Sequence, residues 1–186
     1  ISDPDGPSDD GLTIQGTTND DAVTVTAAGL VNVNQQIPID ASDVASLRLL
    51  LTNGNDAVAI DPSALFTNGI DIDGGDSDAS SDQLQVSSNG AATVALDIAA
   101  GTLTGIVGGT ITIDGVEDLR VDGQDGTAND YDVTNLGATT TGLLRVTLDG
   151  GDAAGDDADL IDITLTAGPD SLVVEPTSAS SALLTG

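Results

Sequence analysis

The stretch Ile70-Asp71-Ile72-Asp73-Gly74-Gly75-Asp76, followed by Asp82-Gln83-Leu84-Gln85-Val86, is the most informative part of this sequence. Apolar and polar residues alternate in both segments, which is the pattern of a β-strand with one buried face. The residues between them are mostly Gly, Asp and Ser, which favour turns. The unit therefore predicts a strand, an acidic loop and a second strand.

The same plan recurs along the chain: a strand, a Gly/Asp loop, an Asp or Asn, and a second strand. The six copies begin at Leu12, Leu47, Ile70, Leu119, Leu144 and Ile163. Units that cannot bury their own apolar face must stack on one another. We therefore predict an all-β protein whose residues 12–175 form a parallel β-solenoid of roughly six or seven coils. The alternative is an antiparallel β-sandwich, which also consists of many short alternating strands.

The segments that flank the repeats differ from them in composition. Residues 1–11 contain Pro4, Gly6 and Pro7 and are predicted to be a linker. Residues 176–186 are rich in Ser, Thr and Ala and are predicted to be a tail that could supply a strand to a neighbouring subunit. One short helical turn is expected around Ser42–Leu51. Because the chain starts at Ile1 and has no Met, we interpret it as a processed product or a fragment.

Composition excludes several functions. The 186 residues include 29 Asp, two Glu and three Arg, giving a net charge of −28, with no His, Cys, Met or Trp. Such a charge would repel nucleic acid and anionic membranes. Imidazole and thiol chemistry are excluded for want of the residues, and no apolar run is long enough for membrane insertion. The sequence therefore predicts a protein that is not an enzyme.

Three loops concentrate carboxylates and are the candidate metal sites. Their members are Asp73, Asp76, Asp78 and Asp82; Asp122, Asp125, Asn129 and Asp130; and Asp149, Asp152, Asp156, Asp157 and Asp159. Close exposed carboxylates repel by about 1 kcal/mol per pair. Calcium takes six to eight oxygen ligands in flexible geometry and would offset this repulsion. We therefore predict several Ca²⁺ ions. The competing interpretation is that the aspartates only form turns, above all Asp21, Asp56 and Asp170.

All three arginines occupy the same place in the repeat. Arg48, Arg120 and Arg145 each lie between two apolar residues in the strand before the loop. This register predicts one solvated face on which the arginines pair with neighbouring aspartates. A ligand-binding arginine face is the alternative.

Two segments carry a resemblance to a known family. Gly54-Asn55-Asp56-Ala57-Val58-Ala59 resembles the second half of the Gly/Asp nonapeptide of RTX-type calcium-binding β-rolls. Residues 115–130 are similar to degenerate repeats of large secreted or cell-surface bacterial proteins. The resemblance implies an extracellular, calcium-loaded solenoid used for surface display, adhesion or matrix building.

These observations lead to one functional prediction and two alternatives. We expect a non-enzymatic extracellular structural protein, stabilised by calcium, that assembles with itself into a filament, fibre or surface layer. The first alternative is a calcium-rigidified module of a cell-surface adhesin that binds a glycan or a protein. The second, minor alternative is an ice-binding solenoid, because Thr-x-Thr occurs five times, for example at Thr24/Thr26 and Thr110/Thr112.

Overall fold

The fold was determined from a computed structural model, which describes residues 10–77, 82–88, 93–124, 127–135, 143, 145–151 and 160–163. These residues contain seventeen β-strands and no helix, so the all-β prediction is confirmed. The short helical turn expected around Ser42–Leu51 is wrong. That segment contains a turn followed by the strand Ser46–Leu50. The strand forms because Leu47 and Leu49 alternate with Arg48, so that the leucines point into the core and the arginine points outward.

The strands form two large sheets and one small sheet. Sheet A contains β1 (Gly11–Gln15), β5 (Ser46–Leu50), β8 (Gly69–Asp73), β13 (Ile111–Asp114), β12 (Thr102–Thr104), β11 (Thr93–Asp97), β15 (Asp130–Thr134) and β17 (Leu160–Ile163), in that spatial order. Sheet B contains β16 (Arg145–Asp149), β14 (Asp118–Asp122), β10 (Gln83–Ser87), β7 (Ala57–Ile60), β2 (Ala22–Val25), β3 (Leu30–Val33) and β4 (Ile39–Asp40). Sheet C pairs β6 (Asn53–Gly54) with β9 (Asp76–Ser77).

The units that begin at Leu12, Leu47 and Ile70 place their first strand in sheet A and their second in sheet B, whereas the units around Leu119 and Leu144 run from sheet B to sheet A, from β14 to β15 and from β16 to β17. The chain passes from sheet A to sheet B from β1 to β2, from β5 to β7, from β8 to β10 and from β13 to β14. Ten of the fourteen strand pairings in the described residues are parallel. Both large sheets are therefore mixed, and they do not form the antiparallel sandwich considered as the alternative.

The core is made of aliphatic residues that stack in register. In sheet A the buried residues Leu47, Ile70 and Ile111 are direct neighbours across three strands. Sheet B has an equivalent column, which consists of Val23, Val58, Leu84 and Leu119. Burying one such side chain stabilises the fold by about 1.5–3 kcal/mol. Because the strands are parallel and in register, apolar residues at equivalent positions of successive strands are direct neighbours.

Two antiparallel excursions interrupt the parallel pattern. Strands β3 and β4 extend sheet B beyond β2, and β12 lies between β13 and β11 in sheet A. The second excursion inserts two extra strands into sheet A between β13 and β15.

The flanking predictions fall largely beyond the described residues. Strand β1 begins at Gly11, one residue before the expected start of the repeat domain. Residues 1–9 of the predicted linker and the whole predicted tail, 176–186, lie outside the described part of the chain. In that described part, no helix is long and apolar enough to cross a membrane.

Candidate functional site

Four acidic residues stack along one side of the fold. Asp21, Asp56, Asp82 and Glu117 each immediately precede a strand of sheet B, namely β2, β7, β10 and β14. Because these four strands pair in parallel register, the acids that precede them lie on successive rungs. We call this set the carboxylate ladder.

Backbone amides link the rungs of the ladder. The Asp21 N–H donates to Oδ1 of Asp56, the Asp56 N–H to Oδ1 of Asp82, and the Asp82 N–H to Oε2 of Glu117, each at 2.7 Å. Each carboxylate after the first therefore accepts the amide of the preceding rung. The ladder satisfies donors at the point where each strand begins, a place where a buried unpaired amide would be costly.

Glycines beside the ladder leave room for its carboxylates. A Cβ at Gly16 would lie 2.7 Å from Oδ2 of Asp21, and a Cβ at Gly74 would lie 3.1 Å from Oδ2 of Asp82 and 2.3 Å from a backbone oxygen. Both glycines directly follow the first strand of their unit. The Gly after the first strand and the acid before the second therefore form one structural motif.

Asp56 has the least compensated charge in the ladder. Its residue is 1% exposed, and its Oδ2 has no hydrogen-bond partner among the described residues. Burial, followed by the like charges of Asp82, Asp21 and Asp20, raises the pKa of Asp56 to about 6, although the Asp21 N–H acts in the opposite direction. The chain therefore keeps an acid in its interior where the ionised form is disfavoured.

Asn129 is a neutral counterpart in sheet A. It is 2% exposed and precedes β15, and its Oδ1 accepts from the Ser88 hydroxyl and the Gln124 N–H at 3.1 Å each. Its Nδ2 donates to the carbonyls of Gly150 at 2.7 Å and Thr127 at 3.0 Å. A Cβ at Gly123 would lie 2.7 Å from this amide, so the glycine–polar motif recurs here.

The structure separates the predicted calcium ligands into three groups. Asp73, Asp122 and Asp149 are the last residues of β8, β14 and β16, Asp130 is the first of β15, and Asp76 begins β9. Asp82 and Asn129 face the interior and bind backbone groups of this chain, so we assign neither residue to a calcium site. The remaining predicted ligands lie outside the described residues: Asp78, Asp125, Asp152, Asp156, Asp157 and Asp159.

Arg120 joins two of the strand-end aspartates. Asp122 and Asp149 are paired in register, and the Arg120 guanidinium forms ion pairs with both, at 2.7 Å to Asp149. Gln85 also donates to Asp122, at 2.5 Å. This pair of carboxylates therefore already has a positive partner.

Asp73 and Asp114 form a second in-register pair, at the ends of β8 and β13. Neither takes part in any of the ion pairs of the described residues, although Oδ1 of Asp73 accepts the Gly75 N–H at 3.1 Å. A shallow cavity of about 460 Å³ lies beside them, lined also by Thr52 and Gly115. No group of three or more acidic, His or Cys side chains suited to a metal occurs in the described residues. Among the described residues, the structure thus places one predicted ligand, Asp73, beside a carboxylate that was not predicted, Asp114.

All three arginines are exposed, but they lie on two sheets: Arg48 is in β5 of sheet A, whereas Arg120 and Arg145 are in β14 and β16 of sheet B. The prediction of a single solvated face is therefore wrong, because the repeat units do not all begin in the same sheet. Arg48 pairs with Asp71 at 3.0 Å, and Arg145 pairs with Asp118. The hydrogen bonds and charge of Arg145 hold the pKa of the Asp118 carboxyl below its usual range. Together with Arg120, these contacts confirm pairing of all three arginines with neighbouring aspartates. Such exposed pairs contribute little to stability.

The described threonines do not form a continuous array. On the outer face of sheet A, Thr112 and Thr102 are neighbours, but Asp71 and Asp97 flank them on the adjacent strands. A flat threonine surface, which the ice-binding alternative needs, is therefore interrupted by charged side chains.

Comparison of this chain with known protein families, curated proteins and solved structures finds no match. The sequence pattern offers a turn role for Asp21 and Asp56 and assigns none to Glu117. The signal for the ladder was present in the sequence, because an acid directly precedes the second strand of the units that begin at Leu12, Leu47 and Ile70.

Proposed function

We propose that the chain is a non-enzymatic, extracellular structural module of the β-solenoid type, stabilised by calcium and assembling end to end. The observation that carries this proposal is the in-register parallel stacking of equivalent strands in both large sheets, which makes each repeat unit depend on its neighbours. The chain has no His, Cys or Lys to supply the usual catalytic bases and nucleophiles.

Strand edges and apolar residues at the two ends support assembly. In the described residues, β1 pairs only with β5, and β17 pairs only with β15. Open strand edges pair readily with other chains. Among the described residues, the exposed large apolar side chains lie in the β3–β4 excursion or in β17, and they are Leu30, Ile37, Ile39, Leu160 and Ile161. Two copies stacked end to end would cover this apolar surface.

Calcium binding is proposed at the strand ends that face acidic loops. Asp73 and Asp114 offer an uncompensated carboxylate pair beside a cavity, and carboxylates are the ligands that calcium prefers. A bound cation would reduce the repulsion between the two charges and would join β8 to β13.

Thermal unfolding followed by circular dichroism tests the calcium part. In EDTA we expect a low Tm, and millimolar CaCl₂ should raise it by several degrees because calcium binds only the folded state. Magnesium and sodium chloride at equal ionic strength serve as controls. The double variant Asp73→Asn/Asp114→Asn should lose part of this response, whereas Asp10→Asn/Asp61→Asn, at two exposed positions, should keep it. An equal response to all salts would contradict calcium binding.

Sedimentation velocity and negative-stain microscopy at fixed calcium test assembly. We expect concentration-dependent, regular polymers. A chain that remains monomeric and binds a glycan array or a cell surface would instead support the adhesin alternative.

A further inference from the structure

Among the described residues, the buried acid Asp56 forms no ion pair with any of the three arginines. The only three basic side chains are Arg48, Arg120 and Arg145, and all three form ion pairs on the outer faces, where they are 48–68% exposed. The carboxylate ladder lies inside, with Asp21, Asp56 and Asp82 at most 2% exposed. Backbone amides offset part of the charge of the ladder, and a proton from the solvent can neutralise the carboxyl of Asp56.

Among the described residues, the ionisable groups that act on Asp56 are acids. Asp20 and Asp21 lie before β2 on one side, and Asp82 lies before β10 on the other, with Glu117 one rung further. Neighbouring parallel strands are about 4.8 Å apart, so carboxylates on adjacent rungs are close. Two carboxylates at such a distance in a buried site do not both ionise readily.

We propose that the ladder is a proton-binding site in which Asp56 becomes a neutral carboxylic acid at mildly acidic pH. Its Oδ1 accepts the Asp21 N–H, and its buried Oδ2, which has no hydrogen-bond partner among the described residues, carries the proton. The proton comes from solvent during folding, and no bond between heavy atoms forms or breaks. Burial and the neighbouring charges, which raise the pKa of Asp56 to about 6, agree with this assignment.

A proton fits this site better than a metal ion. Both oxygens of Asp21 already accept hydrogen bonds, Oδ1 from the Asn34 amide at 2.5 Å and Oδ2 from the Thr17 N–H at 2.6 Å. Asp56 and Asp82 each use one oxygen for a backbone amide. Calcium would need six to eight oxygens, whereas a proton needs only one donor oxygen and one acceptor.

The raised pKa of Asp56 determines the direction in which the stability of the fold changes with pH. The folded pKa of Asp56 lies above its ordinary value of 3.8, so its contribution is complete below about pH 4 and is lost as the pH rises through about 6. The folded protein should therefore become less stable between pH 5 and pH 8, and the folding equilibrium constant should fall by about tenfold through this group.

Urea unfolding in EDTA at pH 5 and pH 8, with wild type, Asp56→Asn and the exposed control Asp61→Asn, tests the proposal. Asn keeps the acceptor at Oδ1 and supplies a permanent donor in place of the protonated Oδ2. For each variant we compare the folding equilibrium constant at pH 5 with that at pH 8. We expect this ratio to be about tenfold smaller in Asp56→Asn than in Asp61→Asn. Equal pH effects in the two variants would overturn the proposal.

Infrared spectroscopy of the wild-type protein gives a test that does not require the variant to fold. We expect the carbonyl stretch of a protonated carboxylic acid at pH 5, with a midpoint well above that of the exposed aspartates. Its absence would overturn the proposal. So would a stability gain from Na⁺, K⁺ or Ca²⁺ at constant pH and ionic strength that Asp56→Asn abolishes, because the ladder would then bind a metal ion.

Discussion

The carboxylate ladder and the Asn129 site occupy equivalent positions in the fold but differ in the chemistry of the buried side chain. Both place a buried polar side chain directly before a strand and opposite a glycine. At Asn129 the amide oxygen accepts two hydrogen bonds while the amide nitrogen donates to carbonyl groups. In the ladder, carboxylates can only accept when ionised, so adjacent rungs repel each other. A neutral amide therefore supplies both a donor and acceptors within its own loop, whereas an ionised carboxylate supplies acceptors only.

The largest expected effect comes from giving Asn129 the chemistry of the ladder. Asn129→Asp would place a carboxylate oxygen against the carbonyl of Gly150, to which Nδ2 now donates at 2.7 Å. We expect a loss of about 3 kcal/mol or more in the free energy of unfolding at pH 8, because an unpaired buried charge replaces a donor. Urea unfolding measures it, with Asn68→Asp, the same change at an exposed position, as the control.

That loss should become smaller at pH 5, where the new carboxyl can take up a proton. A variant as stable as the wild type at pH 8 would contradict the hydrogen-bond assignment of Asn129.

The second effect concerns the glycines that both sites share. In Gly16→Ala a Cβ would lie 2.7 Å from Oδ2 of Asp21, and in Gly123→Ala it would lie 2.7 Å from the Asn129 amide. We expect each variant to lose about 1–3 kcal/mol, because crowding in a packed interior forces the neighbouring groups to shift. Chemical denaturation of the two variants side by side is the measurement.

The two glycine variants should differ little from each other if both glycines serve the same motif. A neutral outcome for Gly16→Ala alone would show that the ladder tolerates displacement of Asp21.

The smallest expected effect on stability comes from removing an exposed ion pair on the outer face. Arg120→Gln removes the cation that joins Asp122 and Asp149 on the outer face. We expect the Tm in 0.5 M NaCl to change by about 1 °C or less, because exposed ion pairs are weak and are screened by salt. Differential scanning calorimetry checks this value. A large loss of stability would mean that the outer pairs, rather than the interior, hold sheet B together.

Much of the local structure follows from the sequence alone. Alternation in segments such as Ile70–Asp73 and Gln83–Val86 predicts strands, and these residues lie in β8 and β10. The register of the arginines predicts their exposure and their pairing with aspartates, which the structure confirms. Both predictions succeed because the side-chain period of a strand is a local property.

The calcium prediction depends on distances that the sequence does not contain. Asp73 was grouped with Asp82, its near neighbour in the same loop. In the fold, however, Asp73 pairs in register with Asp114, which is 41 residues away, while Asp82 turns inward and accepts the amide of Asp56. Neighbours along the chain and neighbours across a sheet differ because the register of pairing decides which side chains meet.

The sequence by itself therefore determined that this protein is built from strand–loop–strand units with an aliphatic interior and a strongly acidic surface. Only the tertiary structure decided which acids are surface charges and which are interior groups. An aspartate before a strand looks the same in the sequence in either case. Its burial, its amide donors and its distance from other carboxylates arise only when strands from different repeats pair in register.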